Sequence, residues 1–209
     1  MPVDLRTLVA TGHTVLVTQE CQNGVIGADA VLRELADAAQ GCVANIARLV
    51  AAAHRAGVPV VHALAERRPD GLGSNRNARL FAAMAKAPIA LAPGSWEAQV
   101  VPEITVSDED LTVRRLHGLG PMAGTDLDPL LRNLGVTTIV GVGVSVNVGM
   151  TNFVMDAFNL GYQFVLPRDG VAGVPAEYAD AVIDNTLALL ATVTTTDDVI
   201  EAWEQAGAG

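Results

Sequence analysis

Apolar positions recur along this chain with two periods, and their alternation sets the expected fold. Runs of adjacent apolar or β-branched residues at 14–18 (TVLVT), 58–62 (VPVVH), 111–113 (LTV), 137–144 (TTIVGVGV), 162–166 (YQFVL) and 192–195 (TVTT) read as buried strands. Between them the period lengthens to that of a helix. Leu35, Ala39, Cys42, Ile46, Leu49 and Ala53 recur at intervals of 4, 3, 4, 3 and 4, and Gly57 stops the helix. A short helical patch covers 79–86. Thr125 caps a helix that runs to about 134 and ends at Gly135. Val148, Thr151, Met155 and Phe158 carry the next helical stripe. Over 176–191, Ala179, Val182, Ile183, Thr186, Leu189 and Leu190 form an inward face. A last helix starts at Thr196, with Asp197 and Asp198 in the turn where the helix dipole favours acids.

Strands alternating with helices predict an α/β, doubly wound (Rossmann-like) six-stranded parallel sheet in a single domain, 1–209. Such sheets bind ligands beyond the carboxyl ends of their strands, where the strand order reverses. Four polar clusters fall at those ends: 20–23 (ECQN), His62 with the arginine-bearing loop 65–77, 114–117 (RRLH) and 145–149 (SVNVG). The turn from 143 to 147 has neither the spacing nor the acidic partner of a dinucleotide loop, so no cofactor is expected. It suits an anion or a developing oxyanion, because the first N–H groups of the following helix point there.

Half of the 209 residues are hydrophobic and few are aromatic, which allows a large core built from Ala, Val, Leu and Ile. No apolar run reaches membrane-spanning length, and the N-terminal segment lacks the basic start and cleavage site of a signal peptide. A cytoplasmic location is therefore expected. A net charge of −10 argues against nucleic acid and anionic membranes as partners. Arg67, Arg68, Arg76 and Arg79 form a local exception. They either hold a carboxylate or phosphate, or are loop arginines paired with nearby acids. Cys21 and Cys42 fit no metal-ligand spacing, the four histidines are scattered, and no metal is expected. The irregular segment 87–102, with Trp96, is a candidate packing or interface element.

In order along the chain, these clusters resemble the isochorismatase-like (cysteine hydrolase) superfamily. The family's Asp-x-Gln-Asn opening is matched by Glu20-Cys21-Gln22-Asn23, and its Gly-Thr-x-Leu helix start by 124–127. Its Gly-Val-Ser/Thr-x-x-x-Cys signature is matched by 143–149, with Asp156-Ala157 following. The resemblance implies a catalytic Asp, Lys and Cys; this chain has Glu20, Arg115 (or Arg114) and Gly149 at those positions. Cys-dependent amide hydrolysis is thereby excluded. The resemblance extends to isochorismatases that carry Gly at the cysteine position and use the acidic residue as a general acid on an enol ether. The extra methylene of Glu20 displaces its carboxyl by about 1.5 Å relative to Asp.

Two functions are left open by this resemblance. One is a Cys-independent hydrolase of a small anionic molecule, with Glu20 as acid/base and Arg115 as charge stabiliser. Its substrate contacts would be Gln22, His62, Arg67, His117, Ser145, Asn147 and Gly149. The other is a catalytically silent member that binds a metabolite or protein partner. The resemblance also implies a homodimer or homotetramer and a cis peptide bond at Val144–Ser145.

Overall fold

The computed structural model describes residues 4–28, 30–88 and 90–206. A short helix α1 (Leu5–Leu8) leads into β1 (Thr14–Gln19), the one-turn helix α2 (Asn23–Ile26) and the long helix α3 (Arg33–Ala56). Then come β2 (Val60–Ala65), α4 (Arg79–Met84), β3 (Leu111–Arg115), α5 (Leu127–Asn133) and β4 (Thr138–Val144). After one turn of π-helix (Val146–Met150) follow α6 (Thr151–Asn159), β5 (Gln163–Pro167), β6 (Val171–Ala172), α7 (Ala176–Asn185), β7 (Thr192–Thr194) and α8 (Thr196–Ala206).

The strands form one parallel sheet in the order β3-β2-β1-β4-β5-β7, with the two-residue β6 added against β4. All six expected strands are present; β6 is the addition, too short to leave a periodic signal. The chain winds outward from β1 to β3, then crosses back to lay β4 on the other side of β1. The order therefore reverses between β1 and β4, and the crevice beyond their carboxyl ends is the place this topology offers a ligand.

Alternation along the strands divides the core into two layers. Leu16, Val60, Val140, Val142 and Val165 pack under α3 and α8. Val15, Val17, Val61, Ile139 and Phe164 pack on the opposite face, under α5, α6 and α7. The indole N–H of buried Trp203 donates to Val9 O at 2.9 Å, tying α8 to the N-terminal segment. Phe164 meets Phe153 edge to face, with centroids 5.0 Å apart. A Cβ at residue 141 would lie 2.2 Å from the Phe164 ring, so glycine in β4 is what admits it.

Three expectations from periodicity are corrected. The stripe containing Met155 and Phe158 is the outer face of α6, and Phe153, Val154 and Ala157 are buried instead. Thr151, Met155 and Phe158 share a face of regular helix α6, and the competing apolar stripe Phe153, Val154 and Ala157 is the one turned to the sheet. Helix α7 stops at Asn185; Thr186 leaves helical geometry, and Leu189 is 79% exposed rather than inward. Trp96 is 59% exposed and anchors no packing within the chain. Thr125 does act near the start of α5, its hydroxyl accepting the N–H of Leu127 at 3.1 Å.

Candidate active site

Just past β1 the backbone turns sharply. Glu20 has φ 54°, in the left-handed region that costs a non-glycine residue about 1–2 kcal/mol. This turn takes its side chain out of the strand's alternation and into a cavity of about 300 Å³. The next residue, Cys21, is fully buried, its Sγ 3.6 Å from Gln19 O, and burial pushes its thiol well above the usual range. It is no thiolate source.

Gln22 and Asn23 serve the fold. The Gln22 side chain is fully buried, donating to Ala65 O (2.8 Å) and Ala98 O (2.9 Å) and accepting the N–H of Ala65 (2.8 Å). Asn23 donates to Trp96 O at 2.9 Å. Together they stitch the ends of β1 and β2 to the segment around residues 96–100. Gln22 has no free polar group to offer a ligand and does not line the cavity, which corrects its expected substrate contact.

His62 is corrected for the same reason. It is fully buried below the site, with Nδ1 2.8 Å from the Thr18 hydroxyl and Nε2 3.2 Å from Asp110. Asp110 also meets His54 at 2.7 Å and accepts the N–H of Ser107 at 2.8 Å. A neutral imidazole that accepts from Thr18 and donates to Asp110 satisfies both contacts. Burial holds His62 below its usual pKa, against the opposing pull of Asp110.

Alternation along β3 decides between the two arginines. Arg114 points outward and pairs with Glu66 at 3.1 Å. Arg115 points inward and pairs directly with the Glu20 carboxylate. Its remaining donors bind the carbonyls of Gly118 (2.8 Å), Leu119 (3.1 Å) and His117 (3.3 Å), so the guanidinium is fixed by the loop after β3. Glu20 feels opposed forces: burial raises its pKa most strongly, while Arg115 and the Gln19 amide pull it down, and the balance is upward.

Beyond β4, the Val144–Ser145 peptide bond is cis, as expected. Ser145, Asn147 and Gly149 line the cavity opposite Arg115. Asn147 Oδ1 is buried without a partner among the described residues. A Cβ at residue 149 would lie 2.3 Å from Gln19 Nε2 and 3.2 Å from Leu119 O, so a side chain there requires the Gln19 amide to move. Gln19 itself is fully buried, donating to Val144 O at 3.3 Å.

The cavity thus gathers Glu20, Arg67, Arg115, His117, Ser145, Asn147 and Gly149 of the expected residues, and leaves Gln22 and His62 outside. Sequence reasoning missed Gln19, the last residue of β1, which simple strand alternation would place on the face away from Glu20. It also missed the apolar wall from α4, whose Leu80, Phe81 and Met84 face the cavity. The apolar spacing within 79–86 was its available signal. Among the described residues no three His, Cys, Asp or Glu side chains converge to hold a metal, and no helix is long and apolar enough to cross a membrane.

The parallel α/β sheet, with a cavity at the carboxyl ends of β1, β3 and β4, is the frame on which the comparisons fall. Residues 14–198 match the isochorismatase domain, and the chain belongs to the isochorismatase family. The uncharacterized isochorismatase family protein YwoC of Bacillus subtilis is 36% identical over 109 residues, which is 52% of this chain and 57% of that protein. Ureidoacrylate amidohydrolase RutB of Variovorax paradoxus is 31% identical across 81% of this chain and 72% of its own length. An isochorismatase family protein of Burkholderia thailandensis, 26% identical, superposes with a TM-score of 0.76 over 92% of this chain and 96% of that one.

Proposed function

We propose that the chain is a hydrolase of a small anionic molecule that works without a covalent thiol intermediate, with Glu20 as general acid/base. The observation that carries this reading is the pairing of two features. Position 149 carries no nucleophile and the Gln19 amide stands where a Cβ would go, while the Glu20 carboxyl on the same cavity has its proton affinity raised by burial. A carboxyl so placed can protonate a leaving group or an enol ether and then, ionised, take a proton from the attacking water. The Arg115 guanidinium, paired with Glu20, steadies the negative charge that develops beside it. That relatives such as RutB are named amidohydrolases supports hydrolysis as the reaction class.

A second reading, a ligand-binding member without turnover, draws on the same contact. Arg115 directs both terminal nitrogens to Glu20 and three backbone carbonyls, so the pair is held chiefly by the protein itself. A thermal-shift screen of small carboxylates, amides and enol ethers on wild type and Glu20→Gln, with turnover followed for each hit, separates the two. Turnover by wild type alone, with binding by both, is the expected result. Equal binding with no turnover by either would reject the catalytic reading.

A further inference from the structure

The geometry points to an amphipathic substrate, an apolar chain or ring carrying a carboxylate, held between the wall formed by α4 and a pair of free guanidinium groups. The inference takes from the proposed function only that the cavity is the substrate site. Glu20 and Arg115 occupy its floor, but most of its lining is hydrocarbon.

Helix α4 supplies Leu80, Phe81 and Met84 on one side, and Leu32, Leu35 and Leu91 come from the other. None of the six residues of α4 is buried. Leu80 and Leu32 remain 40% and 49% exposed, so these side chains face one another across a gap that the chain itself does not fill. Apolar surface left open over a reactive floor is suited to an apolar body, and covering it is favourable by the area removed from water.

Charge fixes the other end of the ligand. Arg68 pairs with Asp70, and Arg114 with Glu66. Arg67 and Arg76 form no ion pair among the described residues. Both line the cavity, and their guanidinium ends converge: the outer nitrogens lie 3.1 and 3.9 Å from the same point above Gly71. Two like charges gathered beside an apolar chamber, in a protein of net charge −10, complement an anion. A carboxylate bridging them leaves the apolar body against α4 and the scissile bond over Glu20.

Titration calorimetry with straight-chain carboxylates from acetate to octanoate, and with the matching primary alcohols, tests this on wild type, Arg67→Gln, Phe81→Ser and Glu20→Gln. Affinity should rise about fourfold per methylene until the chamber is full. It should fall about tenfold or more for the alcohols and for Arg67→Gln, the loss expected of a charge-assisted hydrogen bond. Phe81→Ser, on a helix with no buried residue, should keep the fold and flatten the chain-length dependence. The same dependence in Glu20→Gln separates this inference from the catalytic reading, because binding survives there even when turnover is lost. A wild-type affinity independent of chain length, or alcohols binding as tightly as carboxylates, would overturn it. So would a Phe81→Ser variant that binds normally but dissociates an oligomer on sedimentation, since a second copy of the chain would then be the occupant of this wall.

Discussion

Gly149→Cys puts a thiol where the chain has none, and the structure says what it meets. The new Cβ would sit 2.3 Å from Gln19 Nε2, 3.2 Å from Leu119 O and 3.5 Å from Val144 O. The two carbonyls belong to backbone that cannot retreat far. The Gln19 amide could swing away, but Gln19 is fully buried and its amide donates to Val144 O, so moving it breaks a buried hydrogen bond. Overpacking of this kind costs about 1–3 kcal/mol. For a domain of this size that lowers Tm by about 2–12 °C. Shortening the obstruction should relieve it: Gln19→Ala with Gly149→Cys should recover most of the loss, giving a coupling energy above about 0.5 kcal/mol in a double-mutant cycle. Thermal unfolding of wild type, both single variants and the double variant reads the cycle. Iodoacetamide labelling of the folded protein reports independently, because Cys21 and Cys42 are buried and give little background. A Gly149→Cys variant as stable as wild type, or a cycle that is simply additive, would refute the steric argument and with it the claim that this site has closed around the absence of a nucleophile.

Three further outcomes are expected. Gln22→Ala removes three hydrogen bonds and leaves the buried N–H and C=O of Ala65 and the C=O of Ala98 without partners. It should destabilise by about 3 kcal/mol or more in a urea melt. His62 is held neutral, with its pKa below the usual 6.5, so the folded state binds fewer protons than the unfolded chain. Its stabilising contribution is complete above about pH 6.5 and is lost as pH falls; Tm measured from pH 7 to 5 should drop, and less steeply in His62→Asn. Arg115→Gln removes the largest influence lowering the Glu20 pKa. The carboxyl should then titrate at higher pH than in wild type, seen by NMR of ¹³C-labelled glutamate, and a rate limb due to Glu20 as acid should move the same way.

The six main strands, the longer helices between them and the polar clusters at the strand ends were legible in the chain, because burial on both faces of a parallel sheet leaves continuous apolar runs that side chains alone reveal; the one-turn helix α2 was not. What failed did so where packing or local geometry overrides the count. Helix α6 offers two apolar stripes, and packing on the sheet buried Phe153, Val154 and Ala157 and left Met155 and Phe158 outside. The break at Thr186 turned Leu189 outward. At the site, strand alternation assigned Glu20 and Gln19 to opposite faces. The left-handed turn at Glu20 overrules that assignment, a backbone state the residue's identity does not announce.

Gln22 and His62 show the same limit from the chemical side. Each is a polar residue at or near a strand end, as any ligand contact would be. Whether such a residue faces a ligand or the protein is set by what lies across from it, which for these two is Ala65, Ala98, Thr18 and Asp110, from 43 to 76 positions away in the chain. The sequence by itself determined the architecture and the end of the sheet where chemistry can occur, since periodicity and strand order are local properties of the chain. Only the tertiary structure decided that Arg115 rather than Arg114 meets Glu20, that Gln19 fills the space beside Gly149, and that Arg67 and Arg76, with no ion pair among the described residues, line an apolar chamber. Each of those depends on distances between segments remote in sequence, and no residue encodes its distant neighbours.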